Sequence, residues 1–157
     1  YAVQLAKHFG AEVTGVDRTE KMSLLRSLGA DHVIDYTREN YTDSNETYHL
    51  IIDVVGKSSV PGRLKLLKKE GLYFLAFARL SHIILGMWVS LITSKKLKIE
   101  SAKQTQADLL FLKELIEAGE IKSAIDRHYS LEQTAEAHRY GETGIKLGNI
   151  AITVVQT

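Results

Sequence analysis

The chain has 157 residues, with Lys plus Arg at 20, Asp plus Glu at 19, and no cysteine. That length suffices for one α/β domain with a buried core, and the near-neutral charge without a basic stripe argues against a nucleic-acid partner. The missing cysteines remove disulfides, Cys-rich zinc sites and a thiol nucleophile.

The first residue, Tyr1, falls inside a helical pattern, which reads as a chain that continues from an earlier segment. Tyr1–Phe9 places Val3 and Ala6, and Ala2, Leu5 and Phe9, at helical spacing, with Gly10 as the stop. Glu12–Val16 is a short β run that ends at Asp17. Thr19 is placed to cap a helix over Glu20–Leu28, closed by Gly29. His32–Ile34 is a second β run, ending near Asp35 and Tyr36. Thr37–Thr47 is polar and turn-rich.

Leu50–Val55 (LIIDVV) reads as a third strand, apolar on both faces as a central parallel strand should be, with Gly56 after it. Val60–Leu67 reads as a helix starting near Pro61, and Gly71–Phe77 as a fourth strand. Ser81–Thr93 reads as a helix and Lys96–Ser101 as a fifth strand. Within that helix the apolar run Ile83–Ile92 is about half of the ~20 residues that a bilayer span requires, so a buried helix is the better reading and no membrane partner is expected. Thr105–Ala118 is strongly amphipathic, with Leu109, Leu112, Leu115 and Ile116 expected to face the core and Gly119 as the stop. Ile125–Tyr129 is extended. Leu131–Tyr140 is a helix after Ser130 as cap, and Leu147–Val155 is a last strand. Strands alternating with helices imply a doubly wound parallel sheet of the αβα kind.

In such sheets ligands bind beyond the carboxyl ends of the strands. Four segments end strands: Asp17–Lys21, Asp35–Arg38, Val54–Lys57 and Ala76–Arg79. An acid after the strand at Asp17 can take ribose hydroxyls, while basic groups there can take a 2′-phosphate. Both chemistries are present, because Arg18, Thr19 and Lys21 follow Asp17. Arg18 and Lys21 suit a phosphate, whereas Asp17 repels one. The plainer reading makes Asp17 a strand end and Lys21 a solvated helix residue. Tyr36 can lie against an adenine ring or donate to phosphate, or stand as a rim aromatic. Gly56 permits close approach of a flat ring, and Phe77 and Ala78 can flank a nicotinamide or simply fill a core. The six histidines show no metal-ligand spacing, so no metal is expected. There is no GxSxG elbow and no Walker loop.

YAVQLAKHFGAEVTGV, then RSLGADHVIDYT, LIIDVVG, GLYFLAF, DLLFLKELIEAGEI, IDRHYSL and GIKLGNIAITV follow in order over essentially the whole chain. This series resembles the cofactor domain of zinc-type alcohol dehydrogenases in the medium-chain dehydrogenase/reductase superfamily, and more narrowly its zinc-independent quinone oxidoreductase and enoyl reductase branch. The resemblance implies a Rossmann-like fold without its first, central strand and glycine-rich turn, the turn whose amides hold a pyrophosphate. It also implies a preceding catalytic domain. Residues 1–122 would be the nucleotide-binding domain and 123–157 a segment that packs on that catalytic domain, which leaves Ala124, Ile125, Leu131, Ile150 and Ile152 exposed here.

By the same resemblance Lys21 matches the basic residue at the adenosine 2′-phosphate of NADP and Tyr36 the tyrosine beside it. Asp17 matches an NAD-preferring pattern. Val54 and Gly56 line the cofactor, and Phe77 and Ala78 the nicotinamide. Gly148 matches a closing glycine, and Asn149 stands where Lys or Arg is usual. The implied reaction is hydride transfer from NADPH to a quinone or an electron-poor C=C, with no obligatory catalytic side chain. A homodimer pairing near Leu97–Ile99 and a cytoplasmic setting are the accompanying expectations. The alternative is a piece of the family that folds or self-associates without binding cofactor.

Overall fold

The structure is a computed structural model, which describes residues 1–55, 60–76, 95–99 and 105–154. The chain divides into two compact units, Tyr1–Glu39 with Gln106–Thr157, and Asn40–Thr105. Every strand pairing described is parallel, which makes the chain an α/β protein of the expected class. The strands form three sheets, β1–β2, β3–β4–β5 and β6–β7. No helix among the described residues is long and apolar enough to cross a membrane.

In the first unit, α1 (Ala2–His8) leads to β1 (Thr14–Asp17), a 3-10 turn (Thr19–Lys21), α2 (Met22–Ser27) and β2 (His32–Asp35). α2 ends where expected, because Gly29 takes φ 98°, a left-handed conformation that residues with a Cβ resist. Thr19 departs from its expected role as a cap. Its hydroxyl donates instead to the Asp35 carboxylate, and a charged acceptor is the stronger partner. Lys7 pairs with Asp31 at 2.8 Å, tying α1 to the start of β2.

The unit resumes with α4 (Gln106–Glu117), β6 (Ile125–Ser130), a 3-10 turn (Leu131–Gln133), α5 (Thr134–Glu142) and β7 (Asn149–Thr153). Ser130 caps as expected, in a capping box with Gln133. Gln4 is buried and bonds the Lys122 backbone in both directions, each at 2.9 Å. The expected core face of α4 is only partly filled. Leu115 is buried, but Leu109 is 65% and Ile116 45% exposed. The reason is that Leu109, Leu112 and Ile116 line an open apolar hollow of about 590 Å³ with Tyr1 and Leu5 of the chain start. Of the apolar residues expected at the surface of the last segment, Ile125, Leu131 and Ile152 are exposed, whereas Ala124 and Ile150 are half-buried.

The second unit contains β3 (Tyr48–Asp53), α3 (Val60–Leu64), β4 (Leu67–Leu75) and β5 (Lys96–Ile99). Its core is Leu67, Tyr73 and Leu75, with Ile51 and Leu64 packed against it. Each fully buried large apolar side chain contributes roughly 1.5–3 kcal/mol. The helix expected to run to Leu67 stops at Leu64, and the strand expected from Gly71 starts at Leu67. The register against β3 jumps there, from Tyr48↔Leu67 to Leu50↔Leu72. Glu70 takes φ 64° inside the irregularity, so extra residues bulge out and Leu67 still reaches the core. β3 exposes Leu50 and Ile52 on one face. The helix expected over Ser81–Thr93 lies outside the described residues.

The turn into β7 tests this packing. A Cβ added at Gly148 would lie 2.5 Å from the Ala124 carbonyl oxygen, which also accepts the Asn149 amide at 2.7 Å. Gly148→Ala is expected to lower stability by roughly 1–3 kcal/mol, read as a fall in the urea midpoint at unchanged slope.

Candidate functional site

The parallel pairing of β1 with β2 sets Asp17 opposite Asp35. The carboxyl ends of both strands therefore meet, and Tyr36 N–H donates to the Asp17 carbonyl at 3.1 Å. Asp17 Oδ1 accepts the Arg18 amide at 2.9 Å. Its Oδ2 lies 3.6 Å from Lys21 Nζ, one helical turn on. Tyr36 is 48% exposed. Four of the residues singled out by sequence, Asp17, Arg18, Lys21 and Tyr36, thus share one strand tip.

Asp35, the first residue of the strand-end segment Asp35–Arg38 and given no ligand role by sequence, organises that tip. Its buried carboxylate accepts from Thr19, from the Thr37 amide at 2.9 Å and from the Thr37 hydroxyl at 2.6 Å. Arg38 Nε lies 3.4 Å away. The Thr19 hydroxyl, then the Thr37 hydroxyl, hold the Asp35 carboxyl below the usual aspartate range against the opposing effect of burial. The sequence signal is an Asp followed two residues later by a Thr, an Asx-turn pattern.

Arg18 runs the other way. Its Nη2 donates to the Gly144 carbonyl at 2.8 Å, and its Nε–H is buried with no acceptor among the described residues. Nearby, Tyr140 donates to Asp126 at 2.7 Å, and the Leu147 amide donates to the same carboxylate oxygen at 3.0 Å. The Tyr140 bond is the main reason that the Asp126 carboxyl is held low. The Arg127 guanidinium lies 3.8 Å over the Tyr140 ring. Asn149 contributes a side-chain N–H 3.5 Å from the Tyr1 hydroxyl.

In the second unit β3 ends at Asp53, and Val54 and Val55 beyond it are exposed. Asp53 Oδ1 accepts the Val55 amide at 3.0 Å, which fixes the backbone around Val54. Asp53 Oδ2 accepts from Arg63 and from the Tyr73 hydroxyl, the latter at 2.8 Å. Arg63 also donates to Tyr73 at 2.8 Å and to Tyr41 at 2.7 Å. Burial, more than any other cause, raises the Tyr73 phenol above its ordinary value. Nothing in the sequence marked Arg63 as facing inward. Gly56, Phe77 and Ala78 lie outside the described residues.

The Lys21 ammonium and the exposed Tyr36 phenol at the β1–β2 tip, with the Asp17 carboxylate as an acceptor beside them, suit an anionic, hydroxyl-bearing ligand. Among the described residues no group of three or more His, Cys, Asp or Glu could hold a metal ion.

A family model described as "Zinc-binding dehydrogenase" matches residues 28–152. The 2-methylene-furan-3-one reductase of Solanum lycopersicum is 32% identical over 154 residues, covering 96% of this chain and 36% of that protein. The chloroplastic NADPH-dependent alkenal/one oxidoreductase of Arabidopsis thaliana is 31% identical over 155 residues, with 96% and 36% covered. The chain therefore spans little more than a third of the length of these curated relatives. Among solved structures, the quinone oxidoreductase from Coxiella burnetii aligns with a TM-score of 0.85 at 22% identity, covering 98% of this chain and 48% of that one. At that identity the likeness speaks for the fold, which is Rossmann-like.

Two substitutions check the two carboxylates. Asp53→Ala leaves the buried Arg63 charge unpaired and is expected to cost about 3–5 kcal/mol, measured by urea unfolding. For Asp35 the sign follows from its lowered value. Its stabilisation is present above the unfolded value near pH 3.8 and is lost as pH falls through the lower folded value. Asp35→Asn is therefore expected to be less stable than the parent at pH 7, with the gap closing below about pH 3.8 in thermal melts across pH.

Proposed function

This chain belongs to the zinc-binding dehydrogenase family, and from that premise we propose that it is the nucleotide-holding part of an NADP(H)-dependent oxidoreductase that reduces a quinone or an activated C=C. The single observation that carries the reading is the gathering of Lys21, Tyr36 and Asp17 at one parallel strand tip. A bound nicotinamide supplies the hydride, and the residues of this chain bind and orient.

Lys21 provides the positive charge for the adenosine 2′-phosphate. Asp17, 3.6 Å from it, keeps the ammonium at the tip and accepts from a ribose hydroxyl. The exposed ring of Tyr36 covers the adenine side and offers its hydroxyl to the phosphate. Arg18 starts from the same turn, and its guanidinium adds a second cation there on leaving the Gly144 carbonyl. Val54 and Gly56, and further on Phe77 and Ala78, are assigned to the nicotinamide half. No side chain is assigned a proton transfer. The preference for NADP over NAD follows from two basic side chains against one acid, and NAD remains the weaker ligand.

The test is fluorescence titration of the chain with NADPH and with NADH. NADPH is expected to bind at least tenfold more tightly. Lys21→Ala removes a charged contact worth about 1.5–3 kcal/mol, so it should weaken NADPH about tenfold or more and leave NADH within about twofold. Equal affinities for the two nucleotides, untouched by Lys21→Ala, would overturn the NADP assignment. Failure to bind either nucleotide would overturn the whole reading.

A further inference from the structure

Arg18 is fixed at one end and engaged at the other. Its amide is bonded to Asp17 Oδ1, so its Cα stays at the β1 tip beside Lys21. Its side chain crosses to the turn between α5 and β7 and donates Nη2–H to the Gly144 carbonyl at 2.8 Å. That position is poorly satisfied. The acceptor is a neutral carbonyl, and the Nε–H is buried without any acceptor among the described residues. The turn it holds is short and bounded. Thr143 donates its amide to the Tyr140 carbonyl at 3.2 Å, Leu147 donates to Asp126, and Arg18 takes the carbonyl between them.

We propose that Arg18 is a two-position residue that couples occupancy of the 2′-phosphate subsite at the β1 tip to release of the turn Thr143–Gly148. The proposal rests on the nucleotide reading above and goes beyond it by giving the carboxy-terminal turn a response. A phosphate at the tip is a dianionic acceptor that takes two guanidinium N–H groups in parallel, which a single carbonyl cannot. Swinging to it satisfies the stranded Nε–H and leaves Gly144 without its partner. The turn then loses its tie to the β1 tip, while its ends stay anchored at Tyr140 and Asp126. Linkage requires the converse as well, so that whatever holds the turn closed against Arg18 weakens binding of the phosphate. A nucleotide without the 2′-phosphate leaves Arg18 where it is.

Lys146 lies in this turn and is exposed, so trypsin cleavage after it reports the state of the turn. The rate is measured with no ligand, with saturating 2′,5′-ADP and with saturating 5′-AMP, and binding is followed separately by calorimetry. In the parent chain 2′,5′-ADP is expected to speed cleavage at Lys146 about threefold or more, and 5′-AMP to leave it unchanged. Arg18→Gln is expected to cleave at the fast rate without ligand and to respond to neither nucleotide, and Arg18→Lys to restore part of the slow unliganded rate. A bound 2′,5′-ADP that leaves cleavage unchanged or slows it overturns the coupling while the nucleotide reading stands. Parent-like cleavage of unliganded Arg18→Gln overturns it too. If calorimetry shows no binding of 2′,5′-ADP to the parent, the coupling falls together with the NADP assignment. Circular dichroism of each variant distinguishes a loosened turn from a chain that has lost its fold.

Discussion

Parallel strand pairing is the constraint on which the rest of this molecule depends. Two parallel strands cannot be joined by a tight turn, so the chain must travel back along a helix before it pairs again. Their carboxyl ends then open on the same side. β1 and β2 obey this through α2, and the result is that the Tyr36 amide donates to the carbonyl of Asp17, well before it in sequence. The helical return also brings Lys21 back over the end of the strand that it has just left. The candidate site is thus a product of pairing direction before it is a product of side chains.

Two aspartates stabilise the strand ends by different physics. Asp35 is met mainly by neutral donors, two threonine hydroxyls and an amide, so its charge is dispersed over short local contacts. Asp53 is met by a buried arginine and by a tyrosine hydroxyl in the core. Desolvating an ion pair is costly, and such a pair holds only when its remaining donors also find partners. Arg63 meets that condition by reaching Tyr41 and Tyr73 as well. The gain lies in position: the Asp53 carboxylate also fixes the amide of Val55, and so sets where the chain leaves β3.

Much of the fold was legible because hydrophobic period and punctuation agree. Gly29 closing α2 and Ser130 capping the turn after β6 are local signals, and local signals survive folding. The start of β4 was not legible, because a bulge around Glu70 depends on what Leu67 can reach in the core. The exposure of Leu109 could not be read from helical spacing, which says which residues share a face and nothing about how much of that face is covered. At the site, the rule that ligands lie beyond strand ends picked out Asp17, Lys21 and Tyr36. It reached Asp35 only as the start of the strand-end segment Asp35–Arg38 and passed over Arg63; the roles of both come from partners brought in by tertiary contact. The link from Arg18 to Gly144 spans 126 positions, beyond any motif.

The clamp on α1 has a consequence for cooperativity. Gln4 meets Lys122 across 118 positions, Tyr1 meets Ser123 across 122, and His8 meets Glu120 across 112. By contrast β6 and β7 close on each other within Ile125–Thr153. Closing a long loop carries more entropy than closing a short one, and the polar bonds that hold α1 return little apolar burial. Among the described elements α1 is therefore expected to open more readily than the β6–β7 pair, with its amides exchanging faster.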